Sequence, residues 1–291
     1  MPPKTCSYSC VYCQLGRTDN MICDRRRFYD PGVIVKQVRE RVDAVGDEID
    51  YVTFVPDGEP TLDVNLGVMI EAVNEMGAKT AVIGNASLLW MEDVRSDLSA
   101  ADWVSVKVDA VTEDAWRRVD RPHGGLDHGT VLDGVREFSR EYGGTLATET
   151  MLVDGFNDDG EPGHVARFLG ELDADISYVA IPTRPPAEAS VKPASEEAVN
   201  RAYQVFSSVL GNVEYLIGYE GNAFASSGDF EKDLLSITAV HPMREEAVEA
   251  LLRRDGSGWE EVERLIREEK LVELEYLGNR FYMRRISSRS R

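Results

Sequence analysis

The sequence contains no run of about 18 apolar residues, which excludes a membrane-spanning helix. Nor do the residues from Met1 to Cys6 form the apolar stretch of a secretion signal, so the chain is expected in the cytoplasm, where thiols stay reduced. Cysteine is scarce: Cys6, Cys10, Cys13 and Cys23 are all of it, packed into the first 23 residues. With no oxidising address, this cluster argues against a disulfide framework. Lysine is scarce too, at seven of the 32 basic residues, and those 32 face 52 acids for a net charge of −20. Such a surface repels phosphate backbones at low salt and suits a medium of high ionic strength, where its self-repulsion is screened. No internal repeat or long low-complexity tract stands out.

What is present is a globular balance of 43% hydrophobic and 29% charged residues over 291 positions. That length fits one large domain, or a large one with a small one. The charge is uneven: residues 229–291 hold 14 acids and 12 bases, a net of −2, leaving −18 on residues 1–228. A boundary at 228/229 is expected.

In the first part, β-branched runs at 51–55, 80–84, 103–108, 145–153, 176–182 and 213–218 alternate with helical patterns. Asp30-Pro31, Asp63 and Ser195 are expected helix caps, and Gly77 and Gly211 expected stops. Repeated βα units predict a parallel sheet, either a barrel or a doubly wound sheet, with chemistry at the C-terminal strand ends. The second part predicts a helix after Pro242, a Gly256-Ser257-Gly258 turn, a helix over Trp259 to Ile266, and a hairpin turning at Gly278-Asn279. Two helices and a hairpin read as a winged-helix-like module. It also collects Arg280, Arg284, Arg285, Arg289 and Arg291, yet Glu260, Glu261, Glu263, Glu268 and Glu269 crowd its second helix. That mixture predicts packing rather than a nucleic-acid groove.

Cys6, Cys10 and Cys13 have the spacing C-x3-C-x2-C. Three thiolates on a tight loop can hold three irons of a 4Fe–4S cluster and leave the fourth open to a substrate. The alternatives are a zinc site with Cys23 as fourth ligand, in a binding protein that cleaves no cofactor, or structural thiols without metal. Cys23 reads best as a small packing residue. A second feature stands after the 51–55 run: in Gly58-Glu59-Pro60 the glycine admits a close backbone approach, and the glutamate can accept bonds from an ammonium group.

Together these features resemble the radical S-adenosylmethionine (radical SAM) superfamily, with Tyr12 at the family's aromatic position. Within it, Cys13-Gln14-Leu15-Gly16-Arg17-Thr18 and Gly58-Glu59-Pro60-Thr61-Leu62 are most similar to proteins related to wyosine-type tRNA-modifying enzymes. The resemblance implies a partial (βα)6 TIM-like barrel to about residue 220. It implies a 4Fe–4S cluster on Cys6, Cys10 and Cys13, S-adenosylmethionine as cofactor, and a one-electron donor such as a reductase, ferredoxin or flavodoxin. It further implies a 5′-deoxyadenosyl radical that abstracts hydrogen from a substrate such as a tRNA base or peptide. Gly58 and Glu59 match the motif that binds the methionine amino group; Asn85, Lys107 and Asp109 sit where polar contacts to the cofactor are expected, and Glu149 lies in the next strand. The wyosine-forming enzymes carry further cysteines for a second cluster, which Cys23 alone does not supply. Arg121 and His123, in an expected flexible loop at 120–125 after the fourth strand, and the 183–186 segment are substrate-side candidates. His128, His164 and His241 are assigned to solvent or packing, and the enzyme is expected to be monomeric. In the family a strand precedes the cysteine loop. Here five residues do, so the start is expected to lie upstream, or the barrel edge to lack its first strand.

Overall fold

A computed structural model describes residues 4–45, 49–218, 224 and 227–285. Arg289 and Arg291, singled out from the sequence, lie outside the described residues.

Two short strands open the chain, β1 (Thr5–Cys6) and β2 (Asn20–Met21), paired in parallel. Helix α1 (Pro31–Val45) follows, its first turn held by Asp30, whose Oδ1 accepts from the Gly32 amide at 2.8 Å. Alternating units come next: β3 (Val52–Phe54), α2 (Leu66–Asn74), β4 (Thr80–Gly84), α3 (Glu92–Leu98), β5 (Trp103–Lys107), α4 (Glu113–Val119), α5 (His128–Glu141), β6 (Thr145–Met151), α6 (Glu161–Leu169), β7 (Ile176–Ala180), α7 (Glu196–Ser207) and β8 (Val213–Leu216). The six expected strands are all present, trimmed at their ends by up to two residues. They form one parallel sheet whose spatial order, β3-β4-β5-β6-β7-β8, is their order in the chain.

Leu62, Ile70, Val104, Phe138, Val179 and Phe206 are among the side chains buried in the apolar core that this sheet shares with its helices. Removing such a side chain from water contributes roughly 1.5–3 kcal/mol each. Register places Lys107, Glu149, Tyr178 and Glu214 side by side as a polar row across β5 to β8.

Several expectations need correction. Asp63 does not cap α2: its carboxylate accepts from the Asn65 and Tyr29 amides, and the helix begins only after Asn65. The 120–125 segment follows α4 rather than a strand. As for the barrel edge, β1 runs parallel beside the chain at Gly58, just past β3, so the cysteine segment joins the sheet's first edge there. At the other edge β8 leaves Tyr215, Leu216 and Ile217 exposed.

The C-terminal part is α8 (Phe230–Val240), β9 (Met243–Arg244), α9 (Glu245–Asp255), α10 (Trp259–Arg267), β10 (Leu271–Tyr276) and β11 (Asn279–Arg284). Its three strands form an antiparallel sheet in the order β10-β11-β9. A separate apolar cluster, including Leu234, Met243, Leu251, Val262, Leu265 and Tyr282, holds it together. The two expected helices and hairpin are there, joined by α8 and the short β9, which the sequence reading lacked. Gly256 ends α9 in the left-handed region at φ +67°, where glycine carries no side-chain penalty. The Tyr276 hydroxyl donates to the Pro182 carbonyl at 3.1 Å, which ties this part to the segment after β7. Among the described residues no helix is long and apolar enough to cross a membrane.

Candidate active site

The cysteine loop lies at the C-terminal ends of the parallel strands. Gly58 and Glu59 follow β3, Asn85 follows β4 and Asp109 follows β5. The Glu59 amide donates to the Thr5 carbonyl at 3.1 Å, and a Cβ on Gly58 would stand 1.7 Å from that same oxygen. Only glycine lets β1 pass this close.

Further backbone bonds strap the loop down. Ser9 N donates to Asp120 O at 2.9 Å, Val11 N to Val119 O at 2.9 Å, His123 N to Ser7 O at 2.8 Å, and Glu188 N to Val11 O at 3.2 Å. The 120–125 segment, expected to be a flexible loop, is therefore an ordered strap along residues 7–9. Arg121 does not stand free for a substrate. Its guanidinium grips Glu188 with both Nη atoms, and Arg17 reaches the same carboxylate at 2.9 Å. These two guanidiniums hold the Glu188 carboxyl below the usual range.

Cys6, Cys10 and Cys13 lie within electrostatic range of one another, while Cys23 sits apart, half-buried, with its Sγ 3.3 Å from His123 Nδ1. Burial, with Glu59 adding to it, pushes the Cys6 thiol up to about 12. Burial and Asp120 hold Cys10 well above its usual value, and its thiol donates to Asp120 Oδ1 at 3.4 Å. The ammonium of Lys4, almost fully buried, bonds the Cys13 sulfur. Burial works against its charge, but the Cys13 and Cys6 sulfurs outweigh that and hold it above its ordinary value.

Among the described residues, no three His, Cys, Asp or Glu side chains converge closely enough for a single metal ion. A tetrahedral zinc with bonds of about 2.3 Å would draw its thiolates to within roughly 3.8 Å of one another. An iron–sulfur cluster gives each thiolate its own iron and takes a wider triangle. An all-thiol donor set on C-x3-C-x2-C, with a buried cation beside it, fits the cluster better than zinc.

Glu59 is 2% exposed and accepts three bonds, from Thr61 N at 3.1 Å, Thr61 Oγ1 at 2.6 Å and Asn85 N at 2.7 Å, which leaves lone-pair capacity on the carboxylate. Burial outweighs these bonds and raises its carboxyl. Asn85 Nδ2 donates to Ser7 Oγ at 2.9 Å and to Cys6 Sγ at 3.4 Å, joining the β4 end to the first cysteine. A buried acidic group lies beneath the loop. The Tyr12 hydroxyl bonds Asp109, which also accepts from Met151 N at 2.7 Å, and the Asp109 and Asp120 carboxyls hydrogen bond to each other. Burial and Asp109 push the Asp120 carboxyl well up. Lys107 pairs with Glu149 at 2.6 Å and lies 5.1 Å from the Tyr12 ring centroid; Glu149 and Asp109 overcome the burial that opposes its charge.

The structure thus gathers Cys6, Cys10, Cys13, Tyr12, Gly58, Glu59, Asn85, Lys107 and Asp109 into one site. It adds Lys4, Ser7, Asp120 and Glu188, which the sequence reading missed. Of these only Lys4 left a trace in the sequence: a lysine two residues before the first cysteine, in a lysine-poor chain. Arg184, in the 183–186 segment, bridges Gln14 Oε1 and His241 Nε2 at 3.0 Å each, linking the residue after Cys13 to the C-terminal part. His128 is packed, stacked on Trp116 at 4.5 Å.

Residues 2–168 match the family described as the Radical SAM superfamily. This chain belongs to that superfamily of enzymes. Among similar proteins is a UPF0026 protein of Methanocaldococcus jannaschii, 43% identical over all of this chain and 92% of its own length. Another, from Synechocystis, is 37% identical over 52% of this chain and 56% of its own. Solved radical SAM structures share the fold. A radical SAM methyltransferase from Sphaerobacter thermophilus superposes with a TM-score of 0.58 at 20% identity, covering 75% of this chain and 66% of its own. TYW1 with a lysine-pyruvate adduct bound gives 0.54 at 16% identity, covering 72% of each chain. The six-stranded parallel sheet is accordingly that of a radical SAM enzyme.

Proposed function

We propose that this radical SAM enzyme holds a 4Fe–4S cluster on Cys6, Cys10 and Cys13 and uses it to cleave S-adenosylmethionine reductively. The observation that carries the reading is the all-thiol loop pinned at the C-terminal strand ends, with Glu59 and Asn85 against its first cysteine. A cluster held there would supply one electron, drawn from a ferredoxin, flavodoxin or reductase, for cleavage of the sulfonium to methionine and a 5′-deoxyadenosyl radical, which would take a hydrogen atom from the substrate. Gly58 keeps the backbone close to β1, and Glu59 offers its carboxylate to the methionine ammonium. Tyr12 packs beside the loop with its hydroxyl on Asp109, and Asn85, Lys107 and Asp109 supply polar contacts to the cofactor. The strap of residues 119–123 and Glu188 keeps the loop seated.

We read residues 1–228 as the catalytic partial barrel and 229–291 as a winged-helix-like module. The helix–strand–helix–helix–hairpin order and the separate core of the tail support this division. Arg280 pairs with Glu245 at 2.9 Å and Arg285 with Glu269 at 3.1 Å, which favours packing over RNA contact for the module.

The test is anaerobic reconstitution with iron and sulfide, addition of S-adenosylmethionine and dithionite, and mass spectrometry for 5′-deoxyadenosine. The wild-type chain should turn brown and make it; Cys10→Ala should make none. A colourless protein that holds zinc and cleaves nothing would overturn the reading.

A further inference from the structure

Lys4 is buried without being a ligand. It is 3% exposed, its ammonium bonds the Cys13 sulfur, and among the described residues it pairs with no carboxylate. The backbone goes out of its way to put it there. Lys4 sits at φ +47°, in the left-handed region that L residues rarely adopt, and its carbonyl is held by the Asn20 amide at 3.3 Å. A lone buried ammonium is strongly disfavoured unless an anion faces it. Sulfurs that bind iron are thiolates, so the loaded loop is that anion.

We propose that Lys4 is a positioning residue for charge: its ammonium lies against the thiolate set of the cysteine loop and makes the loaded site easier to reduce. The inference rests on the cluster reading above. Reduction by the donor adds one electron and one unit of negative charge to the site. A fixed positive charge in contact with a ligand sulfur stabilises the reduced form more than the oxidised one. No proton moves and Lys4 forms no bond to iron. The role differs from that of Asn85, whose neutral amide donates to Ser7 Oγ and Cys6 Sγ without adding charge.

The test uses the full chain, reconstituted anaerobically, as wild type, Lys4→Met, Lys4→Arg and Lys232→Met, the last removing an exposed lysine on α8 as control. Iron and sulfide per chain are measured first. The midpoint potential is then read by electron paramagnetic resonance during a redox titration without S-adenosylmethionine. Lys4→Met should shift the midpoint to lower potential, Lys4→Arg should restore most of the shift, and Lys232→Met should leave it in place. A loaded Lys4→Met protein with the wild-type midpoint overturns the proposal. If Lys4→Met stays folded by circular dichroism but takes up no iron, iron uptake by Lys4→Arg decides: uptake supports the charge, and its absence overturns it, because shape rather than charge is then what the site needs. Failure of the wild type to take up iron would instead sink the cluster reading, so the two failures are distinguishable.

Discussion

At the scale of single residues, Gly58 makes the closest approach of any described glycine. Its backbone passes so near the Thr5 carbonyl that any side chain meets a main-chain atom, which has no rotamer to move into. Overpacking usually costs about 1–3 kcal/mol, and here the upper end is expected because β1 must separate from Gly58. Gly58→Ala should therefore lower urea-unfolding stability by roughly 2–3 kcal/mol, while Gly124→Ala, where nothing lies within 4 Å, should change it by less than about 0.5 kcal/mol. Equal unfolding midpoints for the two variants would refute the close approach. Sequence spacing alone displayed the three cysteines, Gly58 and Glu59, since each belongs to a short contiguous motif. Asp120 and Glu188 were illegible for the opposite reason: they meet the loop across more than 100 positions of chain, and no local pattern encodes that contact.

At the scale of elements, β-branched runs marked all six strands of the parallel sheet. The helices α3 and α4 escaped because each is seven residues long, too short to repeat its apolar face. Strand β9 is only two residues and carries no alternation. The strap is the element with a measurable handle. Glu188 joins Arg17 of the cysteine loop to Arg121 of the strap, and its carboxyl is depressed below the unfolded value. A depressed carboxyl stabilises the fold above its unfolded pKa and loses that contribution as the pH falls through the folded one. Glu188→Gln should speed amide exchange over residues 11–18 at neutral pH and cost no more than about 1 kcal/mol in global stability, since Arg17 is largely exposed. The difference from wild type should close once the pH drops below the ordinary carboxylate range. A difference that persists in acid would mean that the Glu188 amide, not its carboxylate, is the clamp.

At the scale of the whole molecule, the −20 charge opposes folding through self-repulsion, whereas its many surface ion pairs favour it, each worth about 0–1 kcal/mol. Salt weakens both, shortening the screening length from about 10 Å at 0.1 M to about 3 Å at 1 M. Repulsion among 20 unbalanced charges acts over the longer range, so the melting temperature should rise by several degrees between those concentrations. A fall would show that the ion pairs dominate. The charge step near residue 228 motivates the division proposed above, but the contacts through Tyr276 and Arg184 left no mark in the sequence, because they are single contacts between distant loops. The strand order has one more consequence. Because β3 to β8 stack in the order of the chain, a ribosome delivers each strand from β4 onward to a partner already made. The cysteine loop is out of step. It is translated before the residues that hold it: Gly58, Val119 to His123 and Glu188 follow up to some 180 residues later. At about 5–20 residues per second, the thiols spend roughly ten seconds or more before those partners are made, an interval that loading of the proposed cluster has to follow.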